Sequence, residues 1–298
     1  MPSTTPRRHV HLVPSLQRDL QQLAALSGRR QALRVAGGLG LGGLLPLVGC
    51  GGGGADQAGS TDIASASTST GSSGGTTTTS GSCSAIPSET AGPYPADGTN
   101  TASGGTSNAL TLASIVRSDI RSSIDGASGT AAGVPVTVTL TLVNSSASCA
   151  VLSGYAVYLW HCDQQGRYSL YSSGAVDQNY LRGVQVSDAN GQVSFTTIFP
   201  GCYSGRWPHM HFEIFRTLAQ ATSGNNDIRT SQLAMPAEAC SAVYGSVSGY
   251  SASVANFAAI SLASDNVFGN DSAVLQLPSI SGSVSAGFAA NLVVGVAA

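Results

Sequence analysis

The run Val134-Pro135-Val136-Thr137-Val138-Thr139-Leu140-Thr141-Leu142 alternates apolar residues with threonine at a period of two. Such a run gives an extended strand one apolar and one polar face, whereas on a helix it would scatter the apolar side chains around the whole surface. Ala156 to Trp160 is a short apolar run suited to a strand buried on both faces. Gln185 to Phe195 reads as a hairpin about an Asn190-Gly191 turn, and Trp207 to Phe215, Ala273 to Leu277 and Ala289 to Val296 supply further strands. Helical pattern is confined to one or two turns at Ala237 to Tyr244, after Pro236. Short strands between Gly, Ser and Asn loops predict an all-β fold, an antiparallel β-sandwich with long loops and at most short helices.

The N-terminal region follows different rules. Arg29-Arg30 precedes an apolar, Gly/Leu-rich run that reaches Val48, and Leu47-Val48-Gly49-Cys50 resembles a bacterial lipobox. A membrane span is the competing reading, but the run is about 15 to 17 residues, broken by glycines and Pro46, against the roughly 20 that a span needs. Residues 1–49 therefore read as a twin-arginine, lipoprotein-type signal peptide, with Cys50 the site of a lipid anchor. Residues 50–82 are Gly, Ser, Thr and Ala with almost nothing to bury, which predicts a flexible tether. Residues 83–298 are long enough for one well-buried domain. The expected location is the periplasmic or extracellular side of a membrane, reached by twin-arginine export.

Six of the 13 basic residues and one of the 15 acidic ones precede Cys50, leaving seven arginines, no lysine and 14 carboxylates after it. A net charge near −7 on that part of the chain argues against a nucleic-acid partner. With Cys50 lipidated, five cysteines remain (Cys83, Cys149, Cys162, Cys202 and Cys240), and in an oxidising compartment two disulfides and one free thiol are expected. The pairing is not fixed by sequence.

Candidate chemistry concentrates between Trp160 and Phe212, where Tyr168, Tyr203, Arg206, His209 and His211 fall within about fifty residues. Residues of these types can together hold a ferric ion. On a strand from Trp207 to Phe215, His209, His211 and Glu213 share one face, and Met210, Phe212 and Ile214 pack the core from the other. Two imidazoles two residues apart can reach one metal, and two of the three histidines after Cys50 stand in this pair. From residues alone a 2-His-1-carboxylate ferrous site using Glu213 also stays open. A cupin-like site would need a third histidine ligand and a more distant glutamate in its motif, and neither requirement is met.

Several ordered blocks then carry a family resemblance: Trp160-His161-Cys162-Asp163-Gln164-Gln165-Gly166-Arg167-Tyr168, Leu181-Arg182-Gly183, Thr197-Ile198-Phe199-Pro200-Gly201-Cys202-Tyr203 and Gly205-Arg206-Trp207-Pro208-His209-Met210-His211. With Glu89 to Tyr94 and Arg117 to Ile120, the chain resembles the intradiol ring-cleavage dioxygenases, which include the catechol 1,2- and protocatechuate 3,4-dioxygenases. The resemblance implies Fe(III) held by Tyr168, Tyr203, His209 and His211. It also implies catechol and O2 as substrates, cleavage between the two hydroxylated carbons to a cis,cis-muconate-type diacid, Tyr203 as a base once released, and Arg206 beside the substrate ring. Two departures stand out: only five residues separate Tyr203 from His209, and Cys202 flanks a ligand position. His161, Asp163 and Arg182 read as structural. The alternative reading is a β-sandwich lipoprotein that binds a phenolic or polymeric ligand without turnover. No oligomeric state is assigned.

Overall fold

The computed structural model describes residues 84–102 and 105–298, so the expected signal peptide and tether, with Cys50 and Cys83, lie outside the described residues. Two sheets form the body. The Val/Thr run is strand β3 (Pro135–Asn144), where Val136, Val138, Leu140 and Leu142 are buried and their neighbours are more exposed. Along one edge of β3 runs β11 (Gly287–Val296), itself paired with β10 (Ser279–Ser283); along the other lie β7 (Gln192–Ile198) and the short β4 (Ala150–Val151).

The second sheet has the order β6 (Arg182–Val186), β5 (Ala156–Trp160), β8 (His209–Phe215) and β9 (Arg229–Ala234), antiparallel throughout. Both central strands are buried along their whole length, because each face has its own cover. Val157, Leu159, Met210, Phe212 and Ile214 face the first sheet and join its apolar residues in the sandwich core. Each such side chain, fully buried, contributes roughly 1.5–3 kcal/mol. Ala156, Tyr158 and Trp160 belong to a second cluster with Ala96, Leu110 and Tyr168, under the loops and the small β1–β2 hairpin (Asp97–Ala102 and Gly105–Asn108). The histidines of β8 point to this outer side.

The all-β sandwich with few helices is the observed fold, and five details differ from the sequence reading. The Asn190-Gly191 turn forms, with Gly191 at φ 73°, but β6 and β7 do not pair; each joins a different sheet, so the turn is a corner between sheets and not the end of a hairpin. β11 runs parallel to β3, an exception to the antiparallel pattern. Ala273 to Leu277 is not a strand: Ser272 and Ala273 have positive φ, Asp271 Oδ1 accepts from Ala273 N, and the amides of Gln276 and Leu277 bond back to Ala273 O. The strand lies just beyond, in the Ser-rich β10, which lacks apolar alternation. The helix after Pro236, α1 (Ala237–Ser246), is followed by a second, α2 (Ser251–Ala258).

Cysteine pairing is the fifth correction. Cys149 is disulfide-bonded, but Cys162, Cys202 and Cys240 are free and buried. Burial, above all, pushes the Cys202 thiol up to about 12 and raises Cys162 and Cys240 well above the ordinary thiol range. These three behave as inert core residues rather than exposed, oxidisable thiols.

Arg182 is the main polar brace between the second sheet and its covering loops. All five of its N–H groups are used: Nε donates to Ser169 Oγ, Nη1 to Pro95 O and Tyr158 Oη, and Nη2 to Tyr94 O and Ser169 O. Arg117 in turn donates twice to Arg182 O, so the strand end and the loops form one network. Replacing Arg182 by Met leaves these buried acceptors without donors, and urea unfolding is expected to show a loss of about 3 kcal/mol or more. A loss under about 1 kcal/mol would show that the brace is dispensable.

Candidate metal centre

Cross-strand register builds the site. Arg182 on β6, Trp160 on β5, His211 on β8 and Gln232 on β9 are consecutive partners and form one row across the outer face of the second sheet. Trp160 stacks on the His211 imidazole, ring centroids 5.0 Å apart and planes 7° from parallel. From the other side the backbone at Gly92 closes in, so that a Cβ there would lie 3.3 Å from His211 Cε1. Gly92 also has φ 71°, a conformation that favours glycine.

His209 is fixed by its own backbone neighbourhood: Nδ1 donates to Trp207 O at 2.5 Å, which leaves Nε2 unprotonated, with a lone pair directed at the neighbouring side chains. That Nε2 lies 3.1 Å from His211 Nε2 and 3.2 Å from Tyr203 Oη. Burial lowers both histidines well below the ordinary imidazole range; Arg206 adds to this at His209, and His209 and Arg206 add to it at His211. Both rings are therefore neutral donors.

Tyr203 and Tyr168 come from loops held by one turn. Asp163 Oδ1 accepts from the amides of Gln165 and Arg167, Asp163 Oδ2 accepts from Arg167 Nε, and Gly201 N donates to Asp163 O. Gly201 fits so closely that a Cβ would lie 2.8 Å from Asp163 O, Gln164 O and Gly166 N. The two tyrosine rings meet edge to face at 6.0 Å, and Tyr168 lies 6.3 Å from the His211 ring. Tyr168 Oη is buried without a well-formed hydrogen bond, although the Tyr203 side chain stands within reach, and burial, with Tyr203 and Cys162 beside it, raises its pKa well above the phenol range.

This donor set fits a ferric ion. Ligands at about 2.0–2.2 Å from one metal and at right angles stand about 3 Å apart, the spacing of His209 Nε2 from both His211 Nε2 and Tyr203 Oη. A buried phenol oxygen without a partner costs about 1–3 kcal/mol, a cost that a cation at this point removes. Phenolates are hard, anionic donors suited to the ferric state, and a metal charge is what would ionise them.

Arg206 stands at the edge of this group. Its Nε forms a buried ion pair with Asp265 Oδ2 at 2.9 Å, Nη2 donates to Gln232 Oε1 at 2.6 Å, and Nη1 lies 3.5 Å from His209 Nε2. Burial opposes its charge, but Tyr203, Asp265 and Tyr168 outweigh that and raise its pKa. Asp265 and Gln232 were not singled out by sequence: Asp265 lies 59 residues from its partner in a loop without a motif, and Gln232 enters only through strand register. His161 stays outside the donor set, since Nδ1 meets Cys162 O at 2.8 Å and Nε2 meets Thr197 Oγ1 at 2.6 Å.

Comparison with known proteins agrees with this architecture. Residues 115–231 match the family model described as "Dioxygenase". An intradiol ring-cleavage dioxygenase from Tetranychus urticae aligns over 72% of this chain and 94% of its own, at 24% identity and a TM-score of 0.54. The dioxygenase domain of a carbohydrate-binding fusion protein from Streptomyces sp. SirexAA-E aligns over 72% and 99%, at 20% identity and a TM-score of 0.44. No curated protein sequence matches the chain. The segment 115–231 is thus similar to the dioxygenase family, and the domain around it shares the fold of the Tetranychus urticae intradiol ring-cleavage dioxygenase.

Glu213 does not join the histidines. Among the described residues no group of three or more His, Cys, Asp and Glu is arranged to hold a metal, which removes the 2-His-1-carboxylate alternative. Glu213 is buried instead beside Asp97, and burial first, then Asp97, raises its pKa well above the carboxylate range. The folded chain therefore keeps a proton that the unfolded chain releases. This contribution is complete below the ordinary glutamate value and is lost as pH rises through the raised one. Glu213→Gln, which mimics the protonated form, is expected to flatten the fall of urea midpoint with pH over that window. An unchanged slope would show that Glu213 is ionised in the fold.

Proposed function

We propose that this chain is a non-haem Fe(III) dioxygenase that cleaves a catechol ring between its two hydroxylated carbons, with O2, to a cis,cis-muconate-type diacid. The convergence of His209 Nε2, His211 Nε2 and Tyr203 Oη on one point, beside the unpartnered Tyr168 Oη, carries the reading. The family segment and the fold support it. Ferric iron held by Tyr168, Tyr203, His209 and His211 would supply chelation of both catechol oxygens and couple the ring electrons to O2.

The remaining roles belong to the chain. Tyr168 is fully buried and Tyr203 is only partly so, which makes Tyr203 the phenol that can exchange position and accept a catechol proton at Oη. His209 keeps one tautomer through Trp207 O, and His211 is held flat by Trp160. Arg206, held at Nε and Nη2, presents Nη1 toward the same point and stabilises negative charge on a substrate oxygen or ring. Buried aromatic rings around the donors exclude water and strengthen that charge interaction.

Export is part of the same proposal. Arg29-Arg30 and the lipobox-like end at Cys50 support a twin-arginine route and a lipid anchor outside the cytoplasm, a route that carries folded, metal-loaded proteins.

The full-length, iron-loaded chain is expected to consume one O2 per catechol and to release a diacid that keeps all the ring carbons, followed by oxygen electrode and product mass. Tyr203→Phe is expected to lower kcat by about 10²-fold or more. Catechol binding without oxygen uptake by iron-loaded protein would favour the ligand-binding reading, and a product cleaved outside the diol would overturn the assignment.

A further inference from the structure

Besides the donors, the site must accommodate whatever substituents its catechol carries, and the cations of the domain limit that choice. After Cys50 the chain has seven arginines and no lysine. Arg182, nearest the aromatic cluster, has spent every N–H on protein acceptors. Arg117 donates to carbonyls of Arg182, Ser122 and Asn179, while Arg121 and Arg167 pair with Asp119 and Asp163. Arg229 faces Ile214, five positions along β8 from His209 and so about 16 Å away by strand rise, and Arg216 lies beyond it in an exposed position. Burial keeps His161 neutral, lowering it to about 4.

Arg206 alone reaches the donor group, and its charge is already matched. Asp265 Oδ2 accepts from Arg206 Nε and Trp207 N, and Oδ1 accepts from Val267 N and Phe268 N, so four donors hold this carboxylate rigidly against the guanidinium. Arg206 therefore brings a directed N–H to the site without a net charge for a second anion. Among the described residues, no uncommitted cation faces the donors.

From this arrangement, and resting on the dioxygenase reading above, we infer that the site selects catechols whose ring bears no anionic substituent, with Asp265 as the specificity-determining residue. A ring carboxylate entering the site would find no free counterion, because the one guanidinium that reaches the donors is already matched by Asp265. Catechols with hydrogen, alkyl or other uncharged substituents need no counterion.

The test uses the iron-loaded full-length chain and two ligands that are not oxidised, phenol and 4-hydroxybenzoate. Both are titrated at equilibrium by their effect on the visible charge-transfer band. Phenol is expected to bind at least about tenfold more tightly, and oxygen uptake with catechol is expected to exceed that with 3,4-dihydroxybenzoate by a similar factor in kcat/KM. Asp265→Asn, which uncovers the Arg206 charge, is expected to narrow the gap by about threefold or more; Arg206→Gln, which uncovers Asp265, should widen it. Equal or tighter binding of 4-hydroxybenzoate by the unsubstituted chain overturns the inference even if neither variant folds. A gap that neither variant moves removes Asp265 from its role. If iron-loaded protein shows no charge-transfer band, the dioxygenase reading itself has failed, and that outcome is distinct from both.

Discussion

Register between β5 and β8 is the constraint on which the rest depends. It sets Trp160 against His211 and, one strand further, His211 against Gln232, so a single row across the sheet supplies a donor, the ring that keeps it flat and the amide that holds Arg206. A shift of one residue would turn Met210 and Phe212 outward and bury the histidines in the sandwich core. That shift is opposed by the apolar faces of both strands, which pack against β3, β7 and β11. Core packing and the placing of the two imidazoles are thus two consequences of one alternation.

The donor group is built on electrostatic tension. Two neutral imidazoles, the Tyr168 phenol and one guanidinium are buried together beside the half-buried Tyr203, and burial acts against the charged form of each of these four. A cation among the donors would relieve much of that tension, by engaging the imidazole lone pairs and the Tyr168 oxygen and favouring ionised phenols. Asp265 matches Arg206 from behind, through a loop that the family segment at 115–231 does not include. The C-terminal part of the domain therefore shares in building the site.

Much of this was legible in the residues, and the gaps have physical causes. Strand β3 could be read because the apolar/Thr period is unbroken, and β5 because five consecutive buried residues leave no alternative face. The His-x-His strand placed His209 and His211 together, but it put Glu213 on the same face equally well; only burial, with Asp97 beside it, shows why that carboxyl is pushed toward its protonated form. β10 was missed because an edge strand of Ser and Gly has no apolar rhythm, and the Asn190-Gly191 turn misled because turn chemistry does not say which sheet the next strand will join. Asp265 and Gln232 depend on contacts across 59 and 26 residues, a range at which one sequence carries no local signal.

Visible absorption of the iron-loaded full-length chain, measured beside Tyr168→Phe and Tyr203→Phe, tests the central claim most directly. Two tyrosinates on ferric iron give a broad mid-visible charge-transfer band and a reddish protein. The account predicts that band, a weaker band in each variant, and a shift when catechol is added without oxygen. Colourless protein with a full complement of bound iron would mean that Tyr168 and Tyr203 are not ligands, and the site would have to be rebuilt from the histidines alone.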